Sequence, residues 1–243
     1  MHVGLAFVKI EPTPPPSNFS MSRAAALTTA ALRRATAAWP VRTLGDPVLR
    51  IPAQPVAEQR FGTKELANLC DDLVATMREA NGAGIAAPQI GVSDRIFVVH
   101  GTGDNPRYPY KPKIPLTVFI NPQIEELPSD EPALELIEGC LSVPGLRGQV
   151  SRAARVRVRA RRADGSHFEA IAAGHAAGTL QHENDHLDCR LFPDIARPGP
   201  FGPEALMTWA AFEQHYAAAF LPHALALRDR YPDAFEIVET TGR

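Results

Sequence analysis

Cysteine is scarce in this chain: three in 243 residues, Cys70, Cys140 and Cys189. That argues against a disulfide framework and fits a reducing compartment. No apolar run approaches the roughly 18 residues a membrane-spanning helix needs. The net charge of −2 gives no global pull toward nucleic acid or an anionic membrane. No internal repeat is visible. Acids are absent from residues 21–38, which hold Ser, Thr, Ala and three arginines. That composition resembles an organelle transit peptide; the blander reading is an Ala-rich helix or disordered extension, with Met21 as the true start. Before it, Glu11 to Pro16 carries four prolines and excludes helix or central strand. Residues 1–38 are therefore read as an N-terminal extension and 39–243 as a single catalytic domain. With 45% hydrophobic and 21% charged residues, the whole chain has the composition of a soluble globular protein.

Within the body, Asp46-Pro47 signals a turn, and residues 41–56 read as irregular and partly extended. Leu66, Leu69, Leu73 and Met77 then recur at helical spacing behind Thr63, a good N-cap. This helix should stop near Asn81-Gly82, with Cys70 packed in its apolar face. Arg95–Val99 and Leu116–Ile120 read as strands separated by a loop over 101–115. Arg155 to Arg161 alternates arginine with Val156, Val158 and Ala160, and Asp164-Gly165 turns it into a second strand from His167. The seven arginines from Arg147 to Arg162 could touch RNA phosphates, but a solvated strand face is the commoner origin of such a pattern. A helix from about Gly174 to before Pro193 and another from about Pro203, breaking at Pro222, complete the chain. Antiparallel strands followed by a buried helix predict an α+β fold, with mixed or antiparallel sheets around that helix and a C-terminal helix beside them.

The chemistry concentrates at His182-Glu183-Asn184-Asp185-His186. Histidines four apart on a helix share a face and can reach one metal ion, and the glutamate is placed to move protons for a metal-activated water. A third ligand is required. Residue 192 is Phe, which excludes the metalloproteases that place a third histidine six residues beyond the second. Glu204 or Glu213, Cys189 and Cys140 remain. Cys140 is preferred: it lies in a Gly-containing segment able to aim a thiolate, and a backbone N–H follows it. A thiolate and two imidazoles leave a fourth position open for catalysis.

Three motifs together resemble those of peptide deformylases, in the family's order and at similar spacing: Gly82 to Gln89, Glu138-Gly139-Cys140-Leu141-Ser142, and Gln181 to Leu187. Leu44 to Pro47 and Val143 to Gly148 add to the likeness, which covers about residues 41–196. The resemblance implies a metal-dependent hydrolase that removes the formyl group from the N-terminal methionine of new polypeptides and releases formate. Cys140, His182 and His186 would bind one divalent metal, Fe²⁺ foremost, with Zn²⁺, Ni²⁺ or Co²⁺ as alternatives. Glu183 would be general base and acid, and Gln89 and the Leu141 N–H would stabilise the oxyanion. Gly84 and Ile85 would hold the peptide in extended form, with Glu138, Gly139 and Gly178 also lining its site and Glu138 paired to Arg152. Asp185 would sit behind the ligands or on the helix surface. The implied partners are N-formylmethionyl nascent peptides and, transiently, the ribosome, with no membrane and no sequence-specific nucleic acid. The expected state is a monomer or weak dimer in a bacterial cytoplasm, or in a mitochondrion or plastid if residues 1–38 are a transit peptide.

Three positions depart from the usual pattern. Gly178 stands where relatives carry a larger pocket residue, which predicts a wider or reshaped pocket. Asn184 replaces an apolar residue and, if buried, must find a hydrogen-bond partner. Cys189 replaces a frequent glycine.

Overall fold

The structure, a computed structural model, describes residues 38–105, 108–129 and 133–239. The extension expected over residues 1–38 lies outside these, save residue 38. Helix α1 (Lys64–Glu79) starts where the sequence places it, with the Thr63 hydroxyl accepting from Leu66 N at 3.3 Å. It ends before Asn81, whose φ of 53° turns the chain away. Leu66, Cys70, Leu73 and Met77 are buried on one face. That face packs on strands β1 (Gly84–Ala86) and β2 (Ile96–Thr102), against Ile85, Ile96 and Val98.

The large sheet continues through β3 (Lys113–Glu126), β6 (Arg155–Arg161), β7 (His167–Ala173) and a C-terminal β9 (Phe235–Glu239), all antiparallel neighbours in the order β1-β2-β3-β6-β7-β9. Strand β3 is longer than the sequence predicts, and the loop before it shorter. Pro115 and Pro122 sit inside it, the latter where the register shifts between Ile120 and Gln123, and a shift removes the need for a ladder donor. The opposite face of the sheet carries Phe97, Phe119, Val156, Val158 and Phe168, with Phe97 and Phe119 stacked at 4.7 Å. Helix α2 (Gly174–Leu187) lies on this face through Ala176, Ala177, Leu180 and Leu187. Being enclosed nearly all round, α2 is the central helix of the α+β fold.

A second sheet of three strands, β4 (Leu134–Cys140), β5 (Val143–Arg152) and β8 (Leu206–Thr208), has the order β4-β5-β8. The sequence reading anticipates none of the three. β4 alternates correctly, with Leu134, Leu136 and Glu138 buried, but one of its inward residues is charged. Leu206 reads by spacing as the start of the last helix. It instead pairs with Gly148, extending the sheet at the open edge of β5.

The last helix begins at Trp209, passes a π-wound turn over Phe212–Tyr216, and continues as α3 (Ala217–Arg230). It runs through Pro222 instead of breaking there. Phe220 and Ala224 on either side are buried in one cluster with Tyr110 and Phe212. Their burial outweighs the roughly 3 kcal/mol an interior proline costs. Of the seven arginines, Arg157 and Arg159 bridge Glu125 and Glu169, Arg161 pairs with Glu58 and Arg162 with Glu239. This is the solvated, carboxylate-paired strand face. Among the described residues no helix is long and apolar enough to cross a membrane.

Candidate active site

Helix α2 and the β4–β5 hairpin meet at the chemistry. Cys140 ends β4 at a register shift, and pairs with Val143 across the two-residue turn Leu141-Ser142. The shift aims the sulfur at α2. Sγ of Cys140 lies 3.2 Å from His186 Nε2, and the Cys140, His182 and His186 donor atoms lie within 4.8 Å of one another. Among the described residues no other group of three His, Cys, Asp or Glu ligand atoms converges in this way. Glu204, Glu213 and Cys189, the other candidate third ligands, are not part of it.

The donors suit a divalent ion of borderline softness, one thiolate and two imidazoles. His182 Nδ1 donates to Glu138 Oε2 at 2.8 Å, leaving Nε2 for the metal. Burial opposes a positive charge at His182, but Glu138 and Cys140 outweigh it and raise the imidazole well above its ordinary range. A site that draws a proton so strongly also draws a cation. Burial and the neighbouring His182 push His186 well down, so it is neutral, with a lone pair to give.

Behind His182 stands a buried charge network. Arg152 forks onto Glu138 at 2.8 and 3.0 Å and reaches Asp185 Oδ2 at 2.7 Å. Burial works to raise the Glu138 carboxyl, but His182 and Arg152 together hold it down to about 2. Glu138 lines the cavity, yet both its oxygens are engaged by Arg152 and His182. Asp185 faces inward to Arg152, which places it behind the ligands.

The remaining motif folds over the cluster. Gln89 is buried in the turn after β1. Its Oε1 accepts from Ala86 N at 2.8 Å, fixing the amide so that Nε2 faces Ser142 Oγ at 3.1 Å and Cys140 Sγ at 3.6 Å. Gly84 and Glu183 are in close approach: a β-carbon on residue 84 would lie 2.6 Å from Glu183 Cδ. Only glycine leaves room there for the carboxylate. Glu183 Oε2 is buried without a hydrogen-bond partner, and burial pushes the group up to about 7. Gln89, Gly84 and Glu183, with Leu141, Gly139 and Gly178, line one cavity of about 520 Å³. Of the residues expected to bind substrate, Ile85 does not line it, its side chain being fully buried in the α1 core.

The profile of the family described as polypeptide deformylase matches residues 38–199. The chain belongs to the peptide deformylase family. It is accordingly a metal-dependent hydrolase. Peptide deformylase 1 of Bordetella pertussis is 48% identical over 154 residues, 63% of this chain and 85% of that protein. The peptide deformylase of Leptospira biflexa is 42% identical over 151 residues, 62% of this chain and 83% of the other. Among solved structures, the Met-Ala-Ser-bound class I type b peptide deformylase of Acinetobacter baumannii aligns with a TM-score of 0.62 at 41% identity, covering 66% of this chain and 99% of that one. The Thermotoga maritima peptide deformylase aligns at 0.56 and 34% identity, covering 66% and 98%.

Against that family background the departures take a physical form. Gly178 does not leave a void, because Leu136 Cδ1 occupies the space 2.5 Å from where a β-carbon would sit. Asn184 is buried and donates to Asp188 Oδ2 at 3.0 Å, but its Oδ1 has no partner. Cys189 takes φ 53° just past α2, the left-handed stop that glycine fills most easily. Sequence reasoning missed Tyr110, Lys111 and His175, which also line the cavity of this deformylase. His175 was within reach, standing seven residues before His182 on the same helical face. Tyr110 and Lys111 lie in a Pro-containing loop with no periodicity to betray them.

Proposed function

We propose that the enzyme hydrolyses the N-formyl group of formyl-methionyl nascent polypeptides and releases formate. The observation that carries this reading is the unpartnered, buried Glu183 carboxylate held against Gly84 beside the Cys140, His182 and His186 donors. The similar Acinetobacter enzyme binds Met-Ala-Ser, a peptide that begins with methionine. A divalent ion on the three donors, Fe²⁺ by our reading, would acidify water and polarise the formyl carbonyl.

The chain's own residues do the rest. Glu183, poised near neutrality, takes a proton from the attacking water as the new C–O bond forms. The formyl oxygen gains negative charge and meets the Gln89 amide, already fixed by Ala86 N, and the Leu141 N–H at the hairpin turn. Glu183 then returns the proton to the amine as the C–N bond breaks. Arg152 and Glu138 hold His182 in one tautomer throughout. The peptide runs extended beside Gly84, because β1 is an edge strand whose free side borders the cavity. Residues 39–243 act as one catalytic domain, a reading supported by Trp209 and Phe212 of the last helix lining the same cavity as Gly84 and His182. The place of action is wherever formylated chains are made, a bacterial cytoplasm in the first instance.

Glu183→Gln separates binding from proton transfer. The variant should hold one metal ion per chain by elemental analysis and lose about 100- to 10,000-fold in kcat. Retained turnover would remove Glu183 from the mechanism.

A further inference from the structure

Residues 39–53 have no regular structure beyond a 3-10 turn over Pro47–Arg50, yet their backbone reaches each motif of the site. Trp39 N–H donates to Thr76 Oγ1 on α1 at 2.9 Å. Arg42 N–H donates to the Gln89 carbonyl and Leu44 N–H to the Ser142 carbonyl, both at 2.7 Å. Further on, Ala53 N–H donates to the Leu187 carbonyl at the end of α2, at 2.9 Å. One short run of chain thus ties the Gln89 turn, the β4–β5 hairpin turn and the metal helix together.

The first two of these contacts fall on the groups read above as oxyanion donors. Gln89 carries one donor on its side chain, and Leu141 carries the other on its backbone, next to Ser142. The Gln89 amide also donates to Ser142 Oγ at 3.1 Å, so a shift of either turn moves both donors. Ser142 is fully buried, and a buried carbonyl needs a partner; Leu44 N–H is that partner. The strap's side chains contribute little. Leu44 is 49% exposed, and the Arg42 guanidinium makes a solvent-exposed pair with Asp46 at 3.7 Å. Neither residue lines the cavity.

We propose that Arg42 and Leu44 are positioning residues for the oxyanion site, acting through their backbone N–H groups on Gln89 and Ser142. They touch neither the metal donors nor the cavity, and hold the two turns at the spacing the developing charge requires. Since it concerns donors to the formyl oxygen, the proposal rests on the deformylase reading and adds to it a part outside the three motifs. The side chain at residue 44 is then free to vary, whereas its N–H is not.

The local backbone allows the two to be separated. Asp46 N–H donates to the Thr43 carbonyl at 3.0 Å and Gly45 has a φ of 106°, the pattern of a type II turn with Leu44 as its second residue. Proline is favoured at that position, so Leu44→Pro removes the N–H and still suits the turn.

The test compares wild type, Leu44→Ala and Leu44→Pro as metal-loaded full chains, by formate release from formyl-Met-Ala-Ser. Leu44→Ala should match wild type. Leu44→Pro should lose about 10- to 100-fold in kcat, with KM, bound metal, the pH midpoint of kcat and calorimetric binding of Met-Ala-Ser unchanged. A contact that merely supports the fold would move those readouts together. An amide-to-ester replacement at Leu44 removes the same N–H without proline, should repeat the loss, and decides the matter if Leu44→Pro does not fold. Wild-type kcat in either N–H-deleted protein, an equal loss in Leu44→Ala, or a loss matched by weaker metal or peptide binding overturns the proposal. No formate from wild type itself overturns the hydrolytic reading, and the strap's assigned role with it.

Discussion

Replacing Arg152 with methionine removes the centre of the buried network while keeping a long apolar stem. The Arg152 side chain is 5% exposed, and the Glu138 and Asp185 carboxylates it serves are 9% and 11% exposed. Without it, both acids remain in the interior and their charge is answered only by His182 and, at 3.5 Å, by Arg190. Breaking a buried pair in this way costs about 3–5 kcal/mol, far above the 0–1 kcal/mol of an exposed pair. At about 2–4 °C per kcal/mol for a domain of this size, the midpoint should fall by roughly 6–20 °C. Glu138 would also lose its anchor and His182 its fixed orientation, lowering metal affinity about 10- to 100-fold. Urea titration and competitive metal binding on wild type, Arg152→Met and Arg152→Lys would read both effects. Lysine keeps the charge but loses the fork, and should fall between the other two. A cost for Arg152→Met below about 1 kcal/mol, with metal affinity unchanged, would refute the claim that this network organises the site.

Two further perturbations probe separate parts of the account. Gly84→Ala puts a methyl group where the Glu183 carboxylate lies; it should cost about 100-fold in kcat/KM with a much smaller effect on unfolding, and activity within threefold of wild type would count against the close approach. His175 is held down to about 3, chiefly by burial and then by Lys111, with His223 adding to it. Its native pKa lies below the unfolded value near 6.5, so the unfolded chain takes the proton first. The stability this contributes is complete above about pH 6.5 and is lost as pH falls toward 3. Against His175→Phe, wild type should lose roughly 1 kcal/mol of relative stability per pH unit between pH 6 and 4; a pH-independent difference between the two would contradict the burial argument.

Much of the site was legible in the sequence because its parts obey local rules. The spacing of His182 and His186 needs only helical geometry, and Thr63 and Asp164-Gly165 mark a helix start and a hairpin by their own chemistry. Cys140 was legible as a residue but not as the end of a strand. Glu138 and Arg152 each read as surface charges when taken singly. Only their pairing across β4 and β5 makes them interior residues, and pairing is a tertiary fact. The same holds for Leu206, whose helical spacing yields to an open strand edge, and for Pro222, kept inside a helix by the burial of its neighbours. Lys111 carried no signal because loops have no period.

The central claim is that Cys140, His182 and His186 hold one metal ion beside Glu183 to cleave a formyl amide. Its most direct test is anaerobic formate release from formyl-Met-Ala-Ser by Fe²⁺-loaded protein, with bound metal counted in the same sample. One ion per chain, and formate appearing in step with free amine, is the predicted result. Full metal occupancy with no formate released would contradict it.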